Sequence, residues 1–300
     1  VAEPPDTGAG HRRVPVRRLH AAAGACLQAT APAGGDGGDA QDWVAVEEPL
    51  EIRVAHGPAA ARELFTLAVT MRTPGDDHAL VAGLLFNEGV VAAAGDLASL
   101  TLANDGSPVM LAELAPSRAV ASEGLARRVI TGSACGVCGK TALAALAAAS
   151  PWPVAAAGFA IDGQRLAALP EQLRARQPTF ARTGGLHAAA LFDAAGTVLD
   201  VREDVGRHNA LDKLIGAALL DGRLPLAGAG ILVSGRASFE LLQKARMAGC
   251  PLLAAVGAPS SLAVELAWEA GISLVGFLRD GRCNVYTGAQ RVVASRDGAG

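Results

Sequence analysis

Hydrophobic positions change their spacing partway along the chain. From Trp43 to Thr73 they mostly alternate. "WVAVEEPLEIRVA" therefore predicts two short strands broken near Pro49, and "ELFTLAVTMRT" a third strand stopped by the turn "PGDD". "HALVAGLLFNEGVV" reads as a helix ended by Gly89, and residues 98–130 as further strands with one short helix. The later pattern is different. "GILVSGR", "CPLLAAV" and "ISLVGFL" are short apolar runs of buried-strand type, separated by "ASFELLQKARMAG" and "PSSLAVELAWEAG", which carry helical spacing and glycine stops. Strands and helices alternating across links of a few residues predict parallel α/β layering. Ahead of them, "ALFDAAGTVLDVRED" predicts paired strands around Ala194-Ala195-Gly196, and "HNALDKLIGAALLDG" a helix.

These elements give an α/β fold class, α+β over the whole chain, in two domains. Residues 14–130 are expected to form a sheet-rich N-terminal domain with a flexible Gly/Asp-rich insert at 31–41. Residues 131–293 carry a C-x-x-C loop and the α/β domain, and 1–13 and 294–300 are tails.

Composition narrows the function classes. In 300 residues a hydrophobic share of 51% is enough to bury sizeable cores, and a net charge of −3 gives no global signal for nucleic acid or an anionic membrane. Any anion site must then be a local arrangement. No apolar run reaches the length of a membrane span. Five cysteines, three of them isolated, do not make a secreted disulfide framework. His20 and Gln28 interrupt the apolar stretch near the start, so it is not read as a leader, and the expected compartment is the cytoplasm.

The candidate chemistry lies in "TGSACGVCGK", where Cys135 and Cys138 stand among glycines. A structural zinc site wants a second cysteine pair or a histidine pair, and neither lies near in sequence. "GKT" fails as a phosphate loop because Ala134 stands where that pattern needs glycine. The pair follows "ARRVI" and precedes the helix-like "KTALAALAAA", a placement near a helix N-terminus that favours thiolate. Dithiol exchange, sulfur transfer, a site of distant zinc ligands and two buried structural thiols all remain open on the residues alone.

The strings "VAVEEPLEIRV", "MRTPGDD", "GLLFNEGVV", "CGVCGK", "TGGLHAAAL", "EDVGRHNALDK", "LVSGRASFELLQKA", "GAPSSLAVELA" and "GFLRDGRCNVYT" occur in one order over about residues 42–293. Together they resemble the FdhD/NarQ family of formate dehydrogenase accessory sulfurtransferases. The resemblance implies a C-terminal half similar to cytidine deaminases, a three-layer α/β arrangement without their zinc chemistry, so no metal site is expected. It implies a persulfide received on Cys135 from a cysteine desulfurase, with Cys138 assisting. The sulfur acceptor it implies is the molybdenum or tungsten centre of the bis-molybdopterin guanine dinucleotide cofactor, with formate dehydrogenase as client and a homodimer as the assembly.

Such a polyanion needs local donors. "SGRAS" offers Ser234, Arg236 and Ser238 at a strand-to-helix junction, and the serines of "GAPSS" are expected to act at least partly as caps. "FLRDGR", from Phe277 through Leu278, Arg279, Asp280 and Gly281 to Arg282, resembles the family's cofactor-binding segment. The same string also reads as an Asp-Gly hairpin turn. In "EDVGRHNALDK" His208 is a candidate cofactor contact and proton donor, or a structural partner of Asp212 on the same helix face, the structural role being favoured; Arg207 and Lys213 supply charge for an anion. His187, beside the glycines of "TGGLH", completes the candidate set. Two other readings stand beside sulfur transfer: a thiol–disulfide oxidoreductase, and a cofactor chaperone without sulfur chemistry.

Overall fold

A computed structural model describes residues 10–16, 19–20, 28–29, 40–103, 106–118, 152, 154 and 158–294. The chain begins with β1 (His11–Val16), the short pair β2 (Leu19–His20) and β3 (Gln28–Ala29), and β4 (Ala40–Ala45), which pairs antiparallel with β1. Thus β1 starts inside the stretch expected as a tail, and Ala40 and Gln41 belong to a strand rather than to the insert. Next come β5 (Glu48–His56), β6 (Glu63–Arg72), the helix α1 (Asp77–Asn87), β7 (Leu97–Leu102) and β8 (Val109–Leu114). The break expected near Pro49 falls instead at Val46 and Glu47, and Pro49 lies inside β5. It is tolerated because β5 gains its second neighbour, β8, only from Glu51 onward, so no ladder donor is lost on that side.

The second half contains β9 (Ile161–Asp162), α2 (Gly163–Ala175), α3 (Pro178–Thr183), β10 (His187–Asp193), β11 (Val198–Asp204), α4 (Arg207–Leu220), β12 (Ala229–Val233), α5 (Phe239–Met247), β13 (Leu252–Ala255), α6 (Ser261–Ala270), β14 (Ser273–Arg279), β15 (Arg282–Thr287) and β16 (Val292–Val293). The main sheet has the order β11-β10-β12-β13-β14-β15. Within it only the neighbouring pairs β12–β13 and β13–β14 are parallel, joined through α5 and α6. β10 and β11 form one antiparallel hairpin and β14 and β15 another. The expected parallel rhythm therefore holds at the centre of the sheet, and the hairpins add antiparallel strands on both sides. The α/β class stands.

Alternation along the strands sends residues to two faces. Ala188, Ala190, Phe192, Leu232, Leu252 and Ala254 pack with Leu166, Leu169 and Leu173 of α2 on one face. Ala189, Leu191, Ile231, Val233 and Leu253 pack under α4, α5 and α6 on the other, which makes three layers. The second of these cores continues without a break through α1 into the inner face of the four-stranded sheet β6-β5-β8-β7.

The join is a helix crossing of α1 on α4. A Cβ on Gly83 would collide with the Asp212 carbonyl oxygen, and one on Gly216 with the Ala79 carbonyl oxygen. Only glycine at both positions lets the two backbones approach this closely. Among the described residues no helix is long and apolar enough to cross a membrane.

Candidate functional site

The parallel strands β12, β13 and β14 all end on the same side of the sheet. β10 begins there because it runs antiparallel to β12. This is the edge at which α/β sheets hold ligands. The loops after the strands stay in register with one another: Gly257 N–H donates to the Gly235 carbonyl at 2.9 Å, and Phe277 N–H donates to the Gly257 carbonyl at 3.0 Å. A Cβ on Gly257 would lie 3.0 Å from the Gly235 oxygen, so the loops are stacked too tightly for a side chain there.

At this edge the structure brings together His187, Arg207, His208, Ser234, Arg236 and Ser238. His187 opens β10 opposite Asp204 of β11. Gly235 lies beside it: a Cβ there would sit 3.5 Å from His187 Nδ1 and 3.9 Å from Arg207 Cδ. Burial, and then the positive charge of Arg207, push the His187 pKa down, so the neutral imidazole is favoured. Ser234 Oγ accepts the Ala188 amide at 2.9 Å, extending the β10–β12 ladder by one side-chain bond. Ser238 Oγ caps α5, accepting the Leu241 amide, as Ser260 caps α6 through Ala263. Both candidate serines thus have structural bonds, while Arg236 is exposed at the loop.

Phe277 to Arg282 occupy the β14–β15 hairpin. Asp280 (φ 53°) and Gly281 (φ 70°) form a tight turn, so the turn reading of "FLRDGR" is realised. Leu278 is fully buried in the core and offers no side chain to a ligand. Phe277 itself has φ 53°, a left-handed conformation that is costly for an aromatic residue. The hairpin is irregular there, between Gly276 and Arg279, and the bulge releases Phe277 from the ladder. Phe277, Arg279, Arg282, Cys283 and Asn284 line a cavity of about 310 Å³, with the Arg279 guanidinium 5.9 Å from the Phe277 ring centre. Two guanidiniums, an amide and an aromatic face suit an aromatic, anionic ligand.

The pairing expected in "EDVGRHNALDK" is corrected. His208 does not meet Asp212; its Nε2 lies 2.8 Å from Glu240 Oε2 on α5. Contact with His208 holds the Glu240 carboxyl below its ordinary range. Asp212 instead binds Lys244 at 2.6 Å and the Asn87 amide at 2.7 Å. Lys213 supplies no charge for an anion, because it is 1% exposed and paired with Asp204 at 2.8 Å. Asp204 also accepts from the Thr73 and Gly206 amides and from Asn209. These side chains fasten the first turns of α4 to the N-terminal half.

Glu240 was not legible as part of a site. In "SFELLQKA" it reads as an acid in the first turn of a helix, a common placement for the macrodipole, and nothing near it in sequence names His208. Cys135 and Cys138 lie outside the described residues. Of the described cysteines, Cys250 is fully buried with its pKa pushed up to about 12 by burial. Burial also raises Cys283. Neither is placed to be a ready thiolate.

The FdhD/NarQ family model matches residues 45–293. The chain belongs to the FdhD/NarQ family. It is 53% identical over 259 residues to the sulfur carrier protein FdhD of Streptomyces coelicolor, covering 84% of this chain and 89% of that one. It is 39% identical over 252 residues to the protein of the same name from Sulfurisphaera tokodaii, with 84% and 92% covered. Among solved structures, it is similar to a crystal structure described as a formate dehydrogenase accessory protein from Desulfotalea psychrophila. The TM-score there is 0.69 and the identity 21%, covering 94% of this chain and 99% of that one, a likeness of fold. The family match spans both the C-x-x-C stretch and the Phe277–Arg282 hairpin.

Proposed function

We propose that this protein is a sulfur carrier serving formate dehydrogenase, with Cys135 as the carrying thiol and Cys138 as its assistant. The observation that carries the reading is the family match over residues 45–293, with relatives at about half identity named sulfur carrier proteins. The burial of Cys250 and the raised pKa of Cys283 support it by leaving the C-x-x-C pair as the better-suited thiols of the matched region.

The loading step is a thiol exchange. The Cys135 thiolate attacks the terminal sulfur of a cysteine persulfide on a desulfurase, the donor S–S bond breaks, and the donor cysteine leaves as thiolate. Cys135 then holds the terminal sulfur as its own persulfide. The acceptor is the metal centre of bis-molybdopterin guanine dinucleotide, treated as a substrate rather than a resident group. Two features of the sheet edge fit such a ligand. One is the Phe277–Arg282 cavity, and the other is the cationic loop cluster around Gly235. There the chain's part is to bind and orient, through guanidiniums, loop amides and the neutral His187 imidazole.

The test is peptide mass spectrometry after incubation with a cysteine desulfurase and cysteine. One added, reductant-labile sulfur on Cys135, absent from Cys135→Ala, is expected. Failure to load under conditions that load another carrier overturns the reading. Turnover on disulfide substrates would then point to a dithiol oxidoreductase. A Cys135→Ala protein that restores full formate dehydrogenase activity would point to a cofactor chaperone.

A further inference from the structure

Most of the charges at the ligand edge of the sheet cancel in pairs. Lys213 is matched by Asp204, Lys244 by Asp212, and His208 by Glu240. Apart from Arg279 and Arg282 of the hairpin cavity, two further guanidiniums beside Gly235 have no ion pair with a described residue. Arg236 is exposed on the loop after β12, and Arg207, the first residue of α4, forms no ion pair with a described residue. Arg207 Nε is moreover buried and without a hydrogen-bond partner among the described residues. A buried, unpaired donor on a charged group costs a folded protein stability unless something else supplies the acceptor.

The surroundings of Arg207 are prepared for an acceptor. Glycine at 235 leaves open the space between Arg207 and His187 that a side chain would fill. His187 is held neutral there, so it adds a hydrogen-bonding nitrogen without further charge. The N-terminus of α4 has Gly206 as its cap residue; the Gly206 amide donates to Asp204, and no side chain caps the amides of the first turn. Among the described residues, the nearby carboxylates Asp204 and Glu240 already accept from other donors.

We propose that Arg207 anchors a subsite for a phosphate or diphosphate group, seated over Gly235 between His187 and the first turn of α4, with Arg236 as the second positive charge. This subsite is separate from the Phe277–Arg282 cavity, and the two together suit a ligand with anionic groups at more than one point. The proposal deepens the acceptor half of the proposed function, and rests on it for the identity of the natural ligand.

Inorganic pyrophosphate is the probe, titrated calorimetrically into the full chain at low salt. Saturable binding is expected, weakened roughly tenfold to a hundredfold in Arg207→Met, as for loss of a charged hydrogen bond. Arg207→Lys is expected to recover part of it. Arg174→Met, exposed on α2 and outside both candidate regions, is expected to bind like the unaltered protein. Circular dichroism checks that each variant is folded. No saturable binding overturns the proposal, as does an Arg207→Met protein that binds as well as the unaltered one. Persulfide loading of Cys135 is measured on the same samples. Loss of loading alone would count against the sulfur reading and leave the subsite standing, while loss of pyrophosphate binding alone would do the reverse.

Discussion

Cys250 is fully buried, its thiol donating to the Ala229 carbonyl at 3.4 Å and the Leu252 carbonyl at 3.2 Å. Its folded pKa, near 12, is above the value of an exposed thiol, so its contribution to stability is intact below about pH 9. That contribution is lost as pH rises from about 9 through 12, because the unfolded chain releases the proton first. Cys250→Ala is therefore expected to flatten the alkaline fall in stability, read as melting temperature against pH. Native Cys250 should also resist iodoacetamide at pH 8 until the chain is unfolded, and rapid labelling would refute its burial.

Lys213 poses a similar question about charge. Lys213→Met leaves Asp204 buried beside a methyl group, and the cost is expected to be about 3–5 kcal/mol by chemical denaturation. A loss under about 1 kcal/mol would mean the ion pair is better solvated than its burial indicates.

Among the elements, the α1–α4 crossing has the least tolerance. A methyl at Gly83 or Gly216 meets backbone oxygen rather than a movable side chain, so the helices must separate. Gly83→Ala is expected to lose about 3 kcal/mol or more, at the top of the range for overpacking. Measured stability within about 0.5 kcal/mol of the original would show that the crossing relaxes freely. The helix caps are milder: Ser260→Ala should cost about 1 kcal/mol. The caps and stops of α5 and α6 were readable because a serine before an apolar run and a glycine after it act through local backbone bonds. The glycines of α1 and α4 were not readable as a pair, since each looks like an ordinary small residue until the partner helix is in place.

Across the whole molecule, one apolar core runs from the four-stranded sheet through α1 and α4 to the six-stranded sheet. Cooperative unfolding is the expected consequence. Thermal transitions followed by far-UV circular dichroism and by tryptophan fluorescence should coincide, and two separated transitions would show that the halves are independent units.

The sequence by itself determined the order and kind of most elements, because hydrophobic period, caps and turns are local properties of the chain. It also determined the family, through long strings in fixed order, and the candidate loops, since ligand loops follow strand ends in any such sheet. Only the tertiary structure decided which charges are free. The spacing of "RHNALDK" placed His208 and Asp212 on one face, yet Glu240 and Lys244 on α5 take them separately, and Asp204 takes Lys213. A side chain's partner depends on which element packs against it, and that contact is made across the fold, between residues far apart in the chain. Arg207 stands out for the same reason: that its Nε finds no hydrogen-bond partner among the described residues appears only once the packed neighbours are in place.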